Sequence, residues 1–232
     1  MPDPILLDPA GADRRSMVDQ AHAALKAQIL SGGLRGGENF LEEELAARFH
    51  MSRTPVREAV VRLAQEGFVE IVPRRGIRIS QMTKRDVREV HEVLECLEVQ
   101  AAERLALRRL SAEDMARLDG AVRGMDEALV ADDIEAWTRA DYEFHKLLIE
   151  LAGNRHLEGV ARNFLEKAYR FRMLTLPMRT KPIKSTTSHA ALVEAVRRGD
   201  HEMAVEIHRV QKRRWARDMD DLLNRLDLPS GD

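Results

Sequence analysis

The chain has 232 residues, 44% of them hydrophobic and 33% charged, with a formal net charge of −2. That balance describes a globular protein able to bury a core, in one large domain or in a small one joined to a medium one. No run of about 18 or more apolar residues occurs, which excludes a membrane-spanning helix, and the Pro- and Asp-rich N-terminus lacks an apolar signal core, so the cytoplasm is the expected compartment.

Residues 1–15 carry Pro2, Pro4, Pro9 and Gly11 and are expected to form a flexible tail. Val18, Ala21, Leu25 and Ile29 recur at helical spacing, predicting a helix from Met17 to Ile29 that stops at Gly32-Gly33. Gly36-Gly37 marks a turn, and a short helix from Glu42 to Phe49 follows. His50-Met51 makes a tight turn, and Ser52 stands where an N-cap belongs. Pro55 would break a helix interior but is tolerated in a first turn. The next helix therefore runs from about Arg53 to Gln65, burying Val56, Val60 and Leu63, and ends at Gly67. Phe68–Val72 and Ile77–Ile79 then read as strands joined by the basic tip Pro73-Arg74-Arg75-Gly76. Helix, helix, turn, helix, hairpin is the order of a winged helix-turn-helix, here over residues 16–80.

After a linker at 81–86 the chain is helical to about residue 227. Val87, Val90, Leu94, Leu97, Ala101 and Leu105 form one apolar stripe, and Met115, Leu118, Val122, Met125 and Leu129 a second, with Ser111 and Asp114 as a capping box between them. Further helices are predicted at about 134–151, 156–176 and 185–198, and a last one capped by Asp200 reaches about Leu226. The fold class is thus mainly α: the N-terminal winged helix-turn-helix, then an antiparallel all-α bundle of about six helices. Aromatic content of 4% agrees with that bias, and the lone Cys96 suits a reducing compartment.

Near-neutral overall charge says nothing for a nucleic-acid partner, but its distribution does. From Arg53 to Arg78 six arginines face three acids, a local excess of the kind phosphate binding requires. In a helix-turn-helix the second helix reads the major groove from its N-terminal turn. Ser52, Arg53, Thr54 and Arg57 occupy that turn, and an arginine can bond O6 and N7 of guanine in parallel. Ser52 and Thr54 suit phosphate oxygens, and the turn of Arg74, Arg75 and Gly76 would bring the wing to the adjacent backbone. A solvated arginine-rich helix beside an ordinary hairpin is the bland alternative.

In the bundle, Asp141 and His145 lie four apart on one helix face, flanked by Trp137, Phe144 and Leu148, which directs them inward. Spacing alone leaves two explanations: a satisfied Asp–His hydrogen bond, or ligation of zinc, nickel or manganese with help from His189 and His208.

Residues Leu25 to Ser80, with Ile29-Leu30-Ser31-Gly32, Ser52 to Ala59, Glu66-Gly67 and Gly76, resemble the DNA-binding domain of GntR-type regulators. The resemblance implies operator contacts by Ser52, Arg53, Thr54 and Arg57 and a wing glycine at Gly76. Some members place a basic phosphate contact in the preceding helix, where this chain has Glu43. The stretch Asp141-x-x-Phe144-His145, Leu151 to Asn154, His189, Ala195, Asp200 and Ala204 resembles the FadR branch, whose helical effector domain is called FCD. That resemblance implies a divalent metal on Asp141, His145 and His189. The family's third histidine falls at Gln211 here, with His208 three residues earlier as the candidate substitute. Many members also grip a carboxylate with an arginine in the first bundle helix, where this chain has Leu94. Arg170, Arg172 and Gln211 are therefore the candidate effector-binding residues.

These readings converge on a sequence-specific regulator, most simply a repressor. It is expected to bind a pseudo-palindromic double-stranded operator as a homodimer and to answer to an organic or sugar acid, with no organic cofactor. Two other classes compete. A metal-dependent enzyme on the bundle would use Asp141, His145 and His189, but no general base, nucleophile or phosphate loop accompanies them. An effector-free DNA-binding protein would have a filled bundle core.

Overall fold

The computed structural model describes the backbone of residues 9–231 and the side chains of residues 16–231. The chain divides into two compact units between Gln81 and Met82.

The first unit contains α1 (Pro9–Leu30), β1 (Asn39–Phe40), α2 (Glu42–Arg48), α3 (Arg53–Gln65), β2 (Val69–Val72) and β3 (Gly76–Ile79). Helix α1 starts at Pro9, so residues 9–15 of the expected tail are helical, while residues 1–8 lie outside the described residues. Proline is accepted at a first helical position because the amide it lacks has no intrahelical acceptor there, and Ala10, Ala12, Arg14 and Arg15 favour a helix. The strands form an antiparallel sheet in the order β1-β3-β2, with Phe40 opposite Ile77 and Ile71 opposite Ile77 on the other side. Strand β1 is too short to show a period, which is why the sequence pattern misses it. Gly76 makes this closure feasible: its φ is 88°, and a Cβ would stand 2.4 Å from the Phe40 carbonyl oxygen.

Leu25 and Ile29 of α1, Val56 and Leu63 of α3, and Phe68, Ile77 and Ile79 of the hairpin are buried in one cluster. Each such side chain is worth about 1.5–3 kcal/mol of burial, an upper estimate. At the end of α3, Gly67 (φ 80°) reverses the chain and lets the Phe68 amide donate to the Leu63 carbonyl at 2.9 Å. Glu66 then accepts from both His22 (2.9 Å) and Lys26 (2.8 Å), pinning α1 to this corner.

The second unit is a bundle of α4 (Lys84–Leu107), α5 (Ala112–Val130), α6 (Ile134–Leu151), α7 (Arg155–Leu174), α8 (Ile183–Arg198) and α9 (His201–Arg225). The expected linker at 81–86 is shorter than predicted: Thr83 caps α4 by accepting from the Asp86 amide while Asp86 accepts from the Thr83 amide, so Lys84–Asp86 are helical. Ser111, Asp133, Asn154 and Asp200 cap α5, α6, α7 and α9 in the same sense. Helix α7 ends at Leu174, and a single 3-10 turn over Leu176–Met178 replaces its predicted last residues. Gly199, at φ 72°, closes α8.

The helices close a ring in the order α5-α6-α7-α4-α9-α8, with α4 also reaching α6 and α8 across the middle. One departure from the expected stripe on α4 matters for the site. The turn below Leu94 buries Glu98 completely and leaves Leu97 only partly covered.

Candidate functional site

The winged unit presents one coherent polar surface. Pro55, Val56, Ala59 and Val60 of α3 turn into the core, which leaves Ser52, Arg53, Thr54 and Arg57 exposed together at the helix start. Ser52 has extended backbone at the N-cap, but its hydroxyl makes no capping bond. Arg74 and Arg75 are exposed at the wing tip, where Arg74 takes φ 64°. Helix α2 opposes these arginines: Arg53 lies 3.7 Å from Glu43, and Arg57 lies 3.9 Å from Glu42. Both pairs exceed hydrogen-bond length and are solvent-exposed, so each is weak and easily screened.

The bundle holds a second constellation, entirely buried. Asp141 and His145 come from α6, His189 from α8, His208, Gln211 and Lys212 from α9, Arg172 from α7 and Glu98 from α4. Asp141 Oδ1 lies 3.6 Å from His145 Nε2 and 3.5 Å from His189 Nε2, and the two imidazole nitrogens are 3.3 Å apart. Arg172 bonds the other oxygen, Oδ2.

On the far side of His145, Glu98 Oε1 stands 3.0 Å from Nδ1, while Glu98 Oε2 takes His208 Nε2 at 3.2 Å and the Lys212 ammonium. His208 therefore faces Glu98 and not the Asp141–His189 side: among the described residues two separate donor groups form, sharing only His145. Three residues of α9 rotate the chain by most of a turn, and that offset directs Gln211, not His208, toward His189. Gln211 Nε2 donates to His189 Nε2 at 3.0 Å, and its buried Oε1 has no hydrogen-bond partner among the described residues.

Protonation states follow from these neighbours. The Nδ1 of His189 lies 2.7 Å from the Ser185 carbonyl, which can only accept, so Nδ1 carries the hydrogen and Nε2 presents a lone pair. Burial lowers the His189 pKa to about 3, keeping the ring neutral. Burial likewise lowers His208 to about 4. Burial also acts against a charged His145, but the carboxylates of Glu98 and Asp141 outweigh it and raise its pKa. For Asp141, burial opposes ionisation and Arg172 and His145 overcome it, holding the carboxyl below its usual range. Glu98 is held well below its range against burial by His145 and Lys212. Phe144 packs edge-on against His189 at 4.4 Å and fixes the ring plane.

Asp141 and His145 reach the inner wall of a cavity of about 750 Å³, while His189, His208 and Glu98 are not among its lining residues. Asp141, His145, Arg172, Gln211 and Lys212 line it, together with Arg179, Lys181, Arg214 and Trp215. Arg172 and Gln211, expected as effector contacts, are thus at the cavity. Arg170 is not among its lining residues. Two residues along a helix turn a side chain by about 200°, so only one of Arg170 and Arg172 can face Asp141.

Sequence reasoning passed over Glu98, Lys212 and Arg179. For Glu98 the signal was present, a carboxylate spaced four after Leu94 and three before Ala101. Lys212 lies four after His208 on a helix whose apolar content is low. Arg179 follows the irregular turn at Pro177 and gives no periodic signal.

Fold and surface together define a winged helix-turn-helix DNA-binding protein with an appended helical domain that encloses a basic cavity. Two family descriptions match: "Bacterial regulatory proteins, gntR family" over residues 17–79 and "FCD domain" over residues 89–210. The chain is 38% identical over 137 residues to an HTH-type transcriptional regulator in the TAR-I ttuE-ttuC' intergenic region of Agrobacterium vitis, covering 58% of this chain and 80% of that one. It is 25% identical over 190 residues to the HTH-type transcriptional repressor RspR of Escherichia coli K12, covering 81% of each. Escherichia coli McbR/YncC shares the fold with a TM-score of 0.78 at 20% identity, over 89% of this chain and 98% of that one. The chain belongs to the GntR family of bacterial regulators, with an FCD domain following its helix-turn-helix. The family and these relatives are transcriptional regulators and not enzymes.

Proposed function

We propose that this DNA-binding transcription regulator is a repressor whose operator affinity falls when a small organic or sugar acid enters the bundle cavity beside a divalent metal. The observation that carries the reading is the convergence of Asp141 Oδ1, His145 Nε2 and His189 Nε2, with Asp141 and His145 lining a cation-rich cavity.

The donor set fits a metal. Around an ion with bonds of about 2.0–2.1 Å, tetrahedral donors stand about 3.4 Å apart, close to the three separations here. His189 is already in the ligating tautomer, and Glu98 Oε1 stands 3.0 Å from His145 Nδ1, within reach of the carboxylate support typical of metal-bound histidines though without an aligned hydrogen bond. Asp141 can serve a metal through Oδ1 while Arg172 holds Oδ2. A divalent ion held there supplies a Lewis-acidic position facing the cavity, suited to a carboxylate oxygen. Zinc, nickel and manganese all remain compatible with this mixed N/O set. Gln211 offers at most a weak neutral ligand, so three strong donors carry the site. His208, engaged with Glu98, is assigned a supporting place and not a ligand's.

Within this reading Ser52, Arg53, Thr54 and Arg57 contact the operator, and Arg74, Arg75 and Gly76 set the wing on the adjacent backbone. The cytoplasm is the compartment, and a homodimer reads a pseudo-palindromic site, gaining affinity from both half-sites. Effector binding couples to DNA by about 1–3 kcal/mol. A cavity of this size in the bundle counts against the effector-free alternative.

The test is a gel-shift titration with DNA from beside the protein's own gene, in the presence of zinc and a set of carboxylic and sugar acids. Release of DNA by at least one acid, lost in the chelated protein, is the expected result. DNA affinity indifferent to metal and to every acid would overturn the ligand-controlled reading.

A further inference from the structure

The cavity's cations are unequal in how their charge is met. Arg172 is bonded to Asp141, Lys212 to Glu98, and Lys181 lies 2.8 Å from Asp132. Arg214 donates to the Lys184 carbonyl and to Ser188 Oγ. Lys184, Arg217 and Arg225 are exposed at the mouth, where water solvates them.

Arg179 and Arg214 are both half-buried without an ion-paired acid, but Arg214 sends a terminal nitrogen to protein acceptors and Arg179 sends neither of its own to one among the described residues. Its Nε donates to Thr175 Oγ1 at 2.9 Å, and the Thr175 hydroxyl is itself spent on the carbonyls of Phe171 and Arg172. The Arg179 amide donates to the Leu176 carbonyl at 3.2 Å, closing the 3-10 turn around Pro177, so both backbone and Nε are fixed. A guanidinium carries five N–H donors, and here the two terminal nitrogens have no acceptor among the described residues. Burial, with the charge of Arg172 acting in the same direction and that of Asp141 opposing it, lowers its pKa to about 10, which still leaves it charged at neutral pH. A fixed, charged and partly desolvated fork without an anion is costly unless a ligand supplies one.

Resting on the effector site proposed above, we infer that the effector is a small dianion with two separated acidic groups. One group meets the wall of Asp141 and His145 with Arg172 and Lys212, and the second is held by the Arg179 guanidinium. A monoacid would leave Arg179 unanswered, and a neutral polyol would leave both ends so. Arg179 is therefore the residue that selects diacids from monoacids.

Calorimetric titration of the full-length, zinc-loaded protein at constant ionic strength tests this, with succinate, 3-sulfopropionate and butyrate as probes. A charge-assisted bond to the second group should make at least one dianion bind about tenfold or more tighter than butyrate. Comparison of succinate with 3-sulfopropionate, equal in charge, tells whether that second group is a planar carboxylate or a tetrahedral oxyanion. Arg179→Gln should bring the preferred dianion down to the butyrate level, and Arg179→Lys should recover part of the difference. Equal binding of butyrate and both dianions to the unmodified protein overturns the dianion inference and leaves the acidic effector site standing. A dianion preference that survives Arg179→Gln overturns the role of Arg179. Absence of binding by all three at about 10 mM overturns the inference together with the acidic-effector reading.

Discussion

Arg172 on α7 holds one oxygen of the buried Asp141 carboxylate on α6, and the other oxygen is thereby aimed at His145 and His189. Removing one partner of a buried pair strands the other's charge, at a cost of about 3–5 kcal/mol. Arg172→Met should therefore lower the bundle's melting transition sharply in chelator. A metal on Oδ1 would offset part of that stranded charge, so the loss should be smaller with zinc present. Calorimetry of both forms decides the matter, and equal losses would show that Asp141 does not bridge the arginine and a metal.

Elemental analysis of the purified chain should find about one divalent ion, provided the three donors act as a single site. His189→Ala and Asp141→Ala should abolish it, and His208→Ala should retain it, because His208 faces Glu98. Gln211→His places an imidazole where the weak amide now stands and should tighten metal binding by about 10–100-fold in a competition titration. Metal loss on His208→Ala would contradict the assignment.

At the reading helix, Arg53→Ala and Arg57→Ala should each cost about 1–3 kcal/mol of operator affinity and relax sequence preference. Arg74→Ala and Arg75→Ala should weaken specific and nonspecific DNA alike and flatten the salt dependence. The acids of α2 give the sharper test. Glu43 faces Arg53 at 3.7 Å and would stand close to the phosphate backbone. Glu43→Gln should therefore tighten DNA binding at low salt, with the gain fading as salt rises. Anisotropy titrations at two ionic strengths measure both, and a gain independent of salt would point to something other than charge.

Much of the winged unit is legible in sequence because its signals are local. Ser52 at the N-cap, Pro55 in the first turn and Gly67 at the end bound α3 at Arg53–Gln65 without reference to the rest of the chain. The bundle helices are equally plain where a cap is present, as at Ser111 and Asp200. What the pattern hides is nonlocal. Glu98, His145, His208 and Lys212 form one network across three helices, and no spacing within any one helix shows which histidine meets which carboxylate. His208 and Gln211 lie on nearly the same face of α9, yet one reaches Glu98 and the other His189. Arg170 and Arg172 differ by two residues, and helix phase separates them. Arg179 depends on a 3-10 turn whose geometry is set by packing, not by periodicity.

His91 on α4 gives a pH dependence independent of the metal ligands. It is buried against the Trp215 ring, with centroids 3.3 Å apart, and neither ring nitrogen has a hydrogen-bond partner among the described residues. Burial, reinforced by the charges of Lys212 and Arg172, holds its pKa well below the ordinary 6.5. Its folded value is depressed, so as pH falls below 6.5 the unfolded chain takes up a proton that the folded chain refuses. Stability is therefore complete above that pH and declines as pH drops through the window below it. His189 and His208, also lowered, act in the same sense, while His145, whose pKa is raised, opposes them. Urea unfolding at about pH 7.5 and about pH 5.5 should show the loss, and His91→Leu should reduce its slope by up to about 1.4 kcal/mol per pH unit. An unchanged slope in His91→Leu would mean that the folded and unfolded chains protonate His91 alike, with Glu98 as the only carboxylate named above that favours its charge.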